Sequence, residues 1–208
     1  MVTTDVVALR FLPSATVQLL LTVRAREPYT GQHALPGVYV NAGEALSVAA
    51  RRALHTKAGV VDSDIGLLRQ VLTFDGPSRD PRGPALSVAH VAVVSQGEPN
   101  GGESPTWWPL AGRPSLAFDH DAIVVEALRW LSERVWADRS VLAGFFPAGS
   151  ATGPELAALV GALSGAQPDR RNFHRRLATC EFLQPVAERT VQPRTRGRMP
   201  TMWVFTAV

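Results

Sequence analysis

Residues 35–60 of the 208-residue chain read LPGVYVNAGEALSVAARRALHTKAGV. The apolar spacing over 44–57 predicts an amphipathic helix. Gly59 suits the C′ position of this helix because glycine tolerates the left-handed conformation. Three residues at i, i+3 and i+4 share one face of the predicted helix: Ala53, Thr56 and Lys57. A methyl, a hydroxyl and an ammonium group therefore lie side by side on this face.

The segments around this helix predict strands and a second helix, which makes the chain α+β or α/β. Short apolar, β-branched runs predict strands at 6–12, 17–23, 67–74 and 86–94, the first two forming a hairpin. Residues 119–136 have the periodicity of a long amphipathic helix, and Asp119 is a suitable N-cap for it.

The pattern changes beyond residue 140, where the elements become shorter. Helices are predicted at 154–163 and 168–179, with a Gly-Ala-Gln turn between them. A strand opening at Phe182-Leu183 and a closing strand at 202–206 follow, separated by a basic loop. Two helices and then a two-stranded hairpin indicate a winged helix-turn-helix. We therefore expect two domains, residues 1–140 and residues 141–208.

Charge and composition narrow the function classes. The net charge is +3, but residues 151–208 hold eight arginines against four carboxylates, which favours a nucleic-acid surface there. No apolar run approaches ~18 residues, so no membrane span is expected. The single cysteine, Cys180, excludes a disulfide within the chain and favours a buried structural role. With no secretory signal evident, a reducing cytoplasm is the predicted location.

The quoted stretch resembles the Nudix box: a glycine, five residues, a glutamate, seven residues, then Arg-Glu-apolar-x-Glu-Glu-x-Gly-apolar. The matching positions are Glu44, Arg52, Gly59 and Val60. Val38 takes the place of the first glycine, and the shared face of Ala53, Thr56 and Lys57 takes the places of the three later glutamates. In the family that face binds Mg²⁺, which positions a pyrophosphate and a water. We therefore expect no metal, no cofactor, no catalytic residue and no Nudix hydrolysis.

Four further segments resemble one Nudix subgroup, the Nudix-related transcriptional regulators of NAD metabolism. They are 26–37 (REPYTGQHALPG), 72–83 (LTFDGPSRDPRG), 87–90 (SVAH) and 116–120 (LAFDH). The likeness runs in order over nearly the whole chain. It implies a degenerate Nudix domain, an α/β/α sandwich that carries the dimer surface and binds a phosphorylated sugar nucleotide such as ADP-ribose. It also implies a C-terminal winged helix that binds DNA.

The predicted ligand-binding residues are Arg26, Glu44, Arg52, Lys57, Arg79 and Arg82. Arg79 and Arg82 are expected to grip a pyrophosphate by bidentate contacts, and Arg24 is a weaker candidate. The alternative is that this pair only decorates a turn that Asp80 caps. Glu44 could instead be a carboxylate in the first turn of the helix that the helix dipole favours. Arg52 could instead be a structural partner of Glu44. Three positions are open for Lys57: its ammonium group contacts a ligand phosphate, neutralises Glu44, or only faces water.

The segment DRRNFHRRL at 169–177 is the predicted recognition helix, because Phe173 and Leu177 form an inward stripe while basic residues lie outside. A matching segment is present in the regulator family. The predicted DNA-binding residues are Arg170, Arg171, Asn172, His174 and Arg175 on the helix, with Arg194, Arg196 and Arg198 in the wing. A solvated basic surface that binds nothing is the alternative. RNA has weaker support because exposed aromatic platforms are lacking.

The sequence as a whole predicts a DNA-binding transcriptional regulator, a repressor, that is a homodimer on a palindromic operator. Helix-turn-helix proteins usually bind DNA in this way, and the regulator family is dimeric. Two other functions stay open. One is an active Nudix hydrolase of ADP-ribose-like nucleoside diphosphate derivatives, and the other is a ligand-binding scaffold without a DNA role.

Overall fold

The computed structural model describes residues 1–95, 98–100, 103–186 and 200–206. The strands are β1 (Val2–Leu12), β2 (Thr16–Val23), β3 (His33–Ala34), β4 (Gly37–Tyr39), β5 (Ile65–Phe74), β6 (Leu86–Val94), β7 (Thr106–Pro109), β8 (Ser150–Thr152), β9 (Leu183–Pro185) and β10 (Met202–Phe205). The helices are α1 (Leu46–Ala58), α2 (His120–Arg134), α3 (Arg139–Phe145), α4 (Gly153–Ser164) and α5 (Arg170–Thr179), with a 3₁₀ turn at Asp62–Asp64. No helix in the described ranges is long and apolar enough to cross a bilayer.

A mixed seven-stranded sheet forms the centre of the larger unit. Its order is β3-β2-β1-β6-β5, with β4 also paired to β1 and β7 to β2. β1 runs parallel to β6, and the other pairs are antiparallel. β1 is buried from Thr4 to Leu9 without interruption, as expected for a strand covered on both faces.

Alternate residues of β1 supply two separate cores, because successive side chains of a strand point to opposite faces. Val6 and Ala8 pack in a cluster with α1. Val7 and Leu9 pack in the other cluster, which includes residues from α2, α3 and α4. The predicted three-layer α/β/α arrangement is therefore confirmed.

Three helix termini have local caps, of which Gly59 is the one predicted from the sequence, and at a fourth the side chain makes no cap. Gly59 ends α1 with φ 66°, and its N–H donates to the His55 carbonyl at 2.9 Å. Thr152 and Glu155 form a capping box on α4, and Asp169 accepts from the Asn172 N–H at 2.9 Å at the start of α5. Asp119 precedes α2, but its side chain caps nothing there. Asp119 does occupy the predicted N-cap position, but a buried arginine, Arg79, binds its carboxylate, so the side-chain cap is not formed.

The C-terminal unit consists of α4, α5 and a three-stranded sheet of order β8-β10-β9. The sequence predicts two strands here, and the structure adds β8, a three-residue strand that is too short to show a period. α3 packs on β5 and β6 of the large sheet, and α4 packs on α2 and β2. One continuous apolar cluster therefore joins the two units. The domain division at residue 140 stays a prediction.

Candidate functional site

A cavity of about 800 Å³ lies where β1, β4 and α1 meet the loop at 79–82. Its cationic lining residues are Arg24, Arg26, Arg52, Lys57, Arg79 and Arg82, and its carboxylates are Asp5, Glu27, Asp80 and Glu103. The cations outnumber the carboxylates by six to four, so the cavity suits an anionic ligand. Five of the six predicted ligand-binding residues line it. The sixth, Glu44, contacts one of those five.

Glu44 and Arg52 form a two-pronged ion pair. Nε and Nη2 of Arg52 donate to the two Glu44 oxygens at 2.8 and 2.7 Å, and Nη2 also donates to the Tyr39 carbonyl at 2.8 Å. The hydrogen bonds from Arg52, and then that from the Asn41 N–H, lower the pKa of Glu44 to about 2. Arg52 is thus the structural partner of Glu44. Glu44 lies before α1 and is not a first-turn residue of that helix.

Lys57 pairs with Glu103, a residue of the β6–β7 connection that the sequence does not single out. Its Nζ donates to Glu103 Oε1, and the two side chains are 29% and 27% exposed. Both residues line the cavity. The alternative in which Lys57 neutralises Glu44 is wrong, because Arg52 already occupies both oxygens of that carboxylate.

Arg79 is buried and forms a fork with a carboxylate at the start of α2. Its Nε and Nη2 donate to the two Asp119 oxygens at 2.9 Å each, and Nη2 lies 3.6 Å from Asp5 Oδ2. Only 5% of the Arg79 side chain is exposed. This guanidinium is committed to protein carboxylates, and its predicted contact with a pyrophosphate stays a prediction.

Asp5 lies on the cavity floor among buried polar groups. The Ser87 hydroxyl donates to Asp5 Oδ2 at 2.6 Å, and His120 Nε2 lies 3.6 Å from Oδ1. The Leu35 N–H donates to His120 Nδ1 at 3.0 Å, so the proton of the neutral ring belongs on Nε2, which faces Asp5. Burial lowers the pKa of His120, and the neutral ring is the favoured form.

Arg82 and Asp80 form a local pair within the loop. Arg82 donates to the two Asp80 oxygens at 2.9 and 2.6 Å, and the Arg82 backbone N–H donates to Oδ1 at 3.0 Å. The hydrogen bond from Arg82 lowers the pKa of Asp80. Asp80 therefore caps the turn, as the structural alternative predicts. The Arg82 side chain is still 39% exposed and lines the cavity.

Two aromatic rings line the cavity beside these cations. Arg24 lies over the Phe118 ring at 4.5 Å, and Arg82 lies 5.7 Å from Phe118 and 5.9 Å from Tyr39. Burial, followed by the charge of Arg82, lowers the pKa of Arg24. Phe118 has φ 58°, a conformation that a bulky residue adopts only when its surroundings hold it there. An anion with a flat ring would find both charge and stacking surface in this cavity.

The second site predicted from the sequence is the outer face of α5. All five predicted DNA-binding residues of this helix are exposed, and Phe173 and Leu177 are buried beneath them. The ring of Phe173 contacts Trp136, just past the end of α2, at a centroid distance of 5.8 Å. This contact and the buried stripe fix the orientation of the helix, so its basic face points to solvent.

The exposed arginines of α5 lack the carboxylate partners that Arg52, Arg79 and Arg82 have in the cavity, as far as the described residues show. Within the described residues, no ion pair involves an arginine of this helix, so Arg170 and Arg171 have no carboxylate partner there. Among the five predicted residues, the only hydrogen bond between side chains in the described part of the chain is that from Arg175 Nη2 to Asn172 Oδ1, at 3.0 Å.

The predicted wing residues Arg194, Arg196 and Arg198 lie outside the described residues. Cys180 is partly buried after α5, and burial raises the pKa of its thiol. This is the behaviour of a structural cysteine and not of a nucleophile.

The family model for the NUDIX domain matches residues 3–132. The chain belongs to the NUDIX family. Among curated proteins, it is 33% identical over 116 residues to an ADP-ribose pyrophosphatase from Methanocaldococcus jannaschii, covering 54% of this chain and 67% of that protein. It is also 28% identical over 192 residues to the ADPR responsive transcriptional repressor NtrR from Acinetobacter baylyi, covering 88% of this chain and 73% of the repressor.

Two solved structures extend these likenesses. NrtR from Shewanella oneidensis, complexed with a 27mer DNA, is 25% identical with a TM-score of 0.72, and the match covers 99% of this chain and 93% of NrtR. The NUDIX domain of the same NrtR, complexed with ADP ribose, is 29% identical with a TM-score of 0.57 and covers 63% of this chain and 88% of that domain. The resemblance to the Nudix-related regulators is therefore confirmed along nearly the whole chain.

The residues on α1 do not fit the Mg²⁺ that the NUDIX family implies. Ala53 is fully buried, the Thr56 hydroxyl donates to the Arg52 carbonyl at 2.7 Å, and Lys57 holds a positive charge. Magnesium requires several oxygen ligands in octahedral geometry, and this helix face supplies no carboxylate. No reaction step through a metal follows from these residues.

Three residues of the NUDIX cavity could not be picked out from the sequence. Glu103 lies in a polar loop without periodicity, and Asp5 lies within a strand that otherwise looks like core. Phe118 falls inside the LAFDH segment. Its backbone is left-handed, but the sequence gives no sign of this conformation because the residue is not a glycine. The family segments do include Asp119 and Arg79, although they give no sign of the contact between them.

Proposed function

We propose that the chain is a DNA-binding transcriptional repressor whose NUDIX domain binds ADP-ribose or a closely related phosphorylated nucleotide sugar. The observation that carries this proposal is the match to DNA-complexed NrtR, which extends over 99% of the chain and so includes α5. The curated repressor relative, which responds to ADPR, supports the same function. Control of NAD metabolism is carried over from the family resemblance.

The DNA-binding part of the proposal is supported by α5. Its exposed arginines have no carboxylate partner among the described residues, and its buried stripe fixes the helix on the C-terminal unit. A helix with this arrangement suits the major groove, where arginine and asparagine reach base edges and phosphates. We propose a homodimer in the cytoplasm that binds a palindromic operator, because two recognition helices related by a twofold axis match two half-sites.

The effector part of the proposal is supported by the cavity. Its excess of cations suits a pyrophosphate, and the rings of Tyr39 and Phe118 offer surface to a base. ADP ribose is bound by the NUDIX domain of the similar NrtR. An effector of this kind changes DNA affinity only if it binds the two states of the repressor with different affinity.

DNA binding is tested with a duplex selected from a randomised pool. Arg170→Ala with Arg171→Ala is expected to lower the affinity about 10- to 100-fold. The same variant should flatten the log–log salt dependence by roughly 0.9 for each phosphate that the helix no longer neutralises. Arg51→Ala with Arg129→Ala removes the same charge from the NUDIX domain and is the matched control. Equal behaviour of the two double variants would place the DNA surface elsewhere. Light scattering on the same samples measures the oligomeric state.

Hydrolysis of ADP-ribose is the second candidate function, favoured by the identity of 33% with the pyrophosphatase. The substituted face of α1 argues against it. The chain is incubated with ADP-ribose and either Mg²⁺ or Mn²⁺, and the products are separated by chromatography. We expect no formation of AMP and ribose phosphate above the background, and robust turnover would favour the enzyme over the sensor.

A further inference from the structure

Four cations of the cavity have carboxylate partners among the described residues, and their pairs are not equivalent. Arg52, Arg79 and Arg82 each donate two hydrogen bonds to one carboxylate, those of Glu44, Asp119 and Asp80 respectively. Lys57 reaches Glu103 through a single ammonium contact. Forked guanidinium–carboxylate pairs are stronger and more rigid than single contacts, so the Lys57–Glu103 pair is the one that opens most readily.

The surroundings of this pair also favour its opening. About a quarter to a third of each side chain is exposed, at 29% for Lys57 and 27% for Glu103. Ion pairs that water reaches contribute less to stability than fully buried ones lose when they are broken. The ammonium group stands on a flexible stem and can redirect its donors to another anion in the same cavity.

The loop that bears Glu103 has contacts that do not depend on the ion pair. The Val23 N–H donates to the Glu103 carbonyl at 2.8 Å, and the Asn100 N–H donates to the Ala58 carbonyl at 3.1 Å. The Glu103 charge also acts on Arg24, whose pKa it raises against the larger effect of burial. The backbone of Glu103 is therefore held independently of its carboxylate, which pairs with Lys57 and acts on Arg24.

We propose that Glu103 competes with the effector for Lys57, so that a phosphate displaces the Glu103 carboxylate and takes the ammonium without a divalent metal. The proposal rests on the proposed function, in which the cavity binds a phosphorylated ligand. Lys57 becomes a phosphate contact, and Glu103 sets the concentration at which the effector binds.

The test is calorimetric titration of ADP-ribose into the full chain, in EDTA and in Mg²⁺. Glu103→Gln is expected to tighten binding about threefold to fivefold, because a competing charge with little stabilising value is removed. Lys57→Gln is expected to weaken binding by a similar or larger factor. In the Lys57→Gln background, Glu103→Gln should have no further effect. Exchanging EDTA for Mg²⁺ should leave the wild-type affinity unchanged.

Glu27→Gln is the matched control, because Glu27 lines the same cavity and its substitution removes the same charge. An equal gain from Glu27→Gln and Glu103→Gln would assign the effect to the overall charge of the cavity and would overturn the competition. A gain from Glu103→Gln that persists without Lys57, or a strong dependence on Mg²⁺, would overturn it as well.

Lysine-selective labelling gives a direct readout, because Lys57 is the only lysine of the chain. Its single side-chain resonance should move when ligand is added, and the free Glu103→Gln variant should already differ from the free wild type. A resonance that stays in place during saturation would overturn the proposal. If ADP-ribose binds neither to the wild type nor to the Glu103→Gln variant, the proposed effector is wrong. The same titrations with inorganic pyrophosphate then decide on the competition alone.

Discussion

The cavity of the NUDIX domain and the outer face of α5 both present arginines, but they treat the charge differently. In the cavity, Arg52, Arg79 and Arg82 each have a forked carboxylate partner. On α5, Arg170 and Arg171 have none in the part of the chain that the structure describes. Arginines that are paired with protein carboxylates contribute mainly to the stability of the fold. Exposed arginines without such partners are available to bind an external polyanion.

The two surfaces therefore select their ligands by different rules. A ligand that contacts Arg52, Lys57, Arg79 or Arg82 has to replace an existing carboxylate partner, so its affinity depends on which ion pair opens. A ligand of α5 replaces only water and salt ions, so its affinity depends on ionic strength. Substitutions in both regions test this contrast.

Arg79→Met should lower the free energy of unfolding by about 3 kcal/mol, because the carboxylate of Asp119 loses its buried partner. Arg171→Met on α5 should change it by less than about 0.5 kcal/mol. Urea denaturation of both variants measures the difference. Similar costs would remove the distinction between structural and available arginines.

Gly59→Ala should cost about 2 kcal/mol, since a methyl group there would lie 1.7 Å from the Asn100 side-chain oxygen and 3.1 Å from the Asn100 backbone. Gly43→Ala is the matched control, because Gly43 also has a positive φ but nothing within 4 Å of the added carbon. Its cost should be about 1 kcal/mol, from the left-handed backbone alone. Thermal or urea unfolding measures the loss of stability in the two variants. Equal losses would show that Asn100 moves away from the added methyl group at no measurable cost in stability.

Acid should destabilise the NUDIX domain in two steps. Burial lowers the pKa of His90 and of His120 from the ordinary value of 6.5, so the stability that depends on the neutral rings is complete above that pH and is lost as the pH falls below it. Hydrogen bonds from arginines lower the pKa of Glu44 to about 2 and that of Asp80 below its ordinary value, so a second loss begins below about pH 4.5.

The measurement for this smallest effect is the midpoint of thermal unfolding as a function of pH. His120→Gln should flatten the dependence as the pH falls below about 6.5. An unchanged slope in His120→Gln would contradict the assignment of a buried neutral ring.

Much of the fold can be predicted from the sequence because it depends on periodicity and on local signals. The strand at 86–94 is found at its predicted bounds, and Gly59 ends α1 as predicted. These features depend on the residue itself or on neighbours within one helical turn. The three residues of β8 are too few for a period, and they become a strand only through pairing with β10.

The side-chain pairs of the cavity could not be predicted in the same way. Lys57 and Glu103 are 46 residues apart, and Arg79 and Asp119 are 40 residues apart. Each partner lies in a loop or at an element end, where no periodicity limits its direction, and only the folded sheet brings them together. Arg52 and Glu44 are eight residues apart on the α1 segment, and this pair is the one that the sequence suggests.

Helix α2 links the two proposed ligand surfaces mechanically. His120 in its first turn lines the cavity, while Trp136 just beyond its last turn touches Phe173 of α5. Its 15 residues make a rod of roughly 22 Å. A tilt of about five degrees at the cavity end would move the far end by roughly 2 Å, a displacement of the size seen in helix shifts of switching proteins. Helix α2 and the residues just beyond it therefore connect the cavity to the proposed recognition helix.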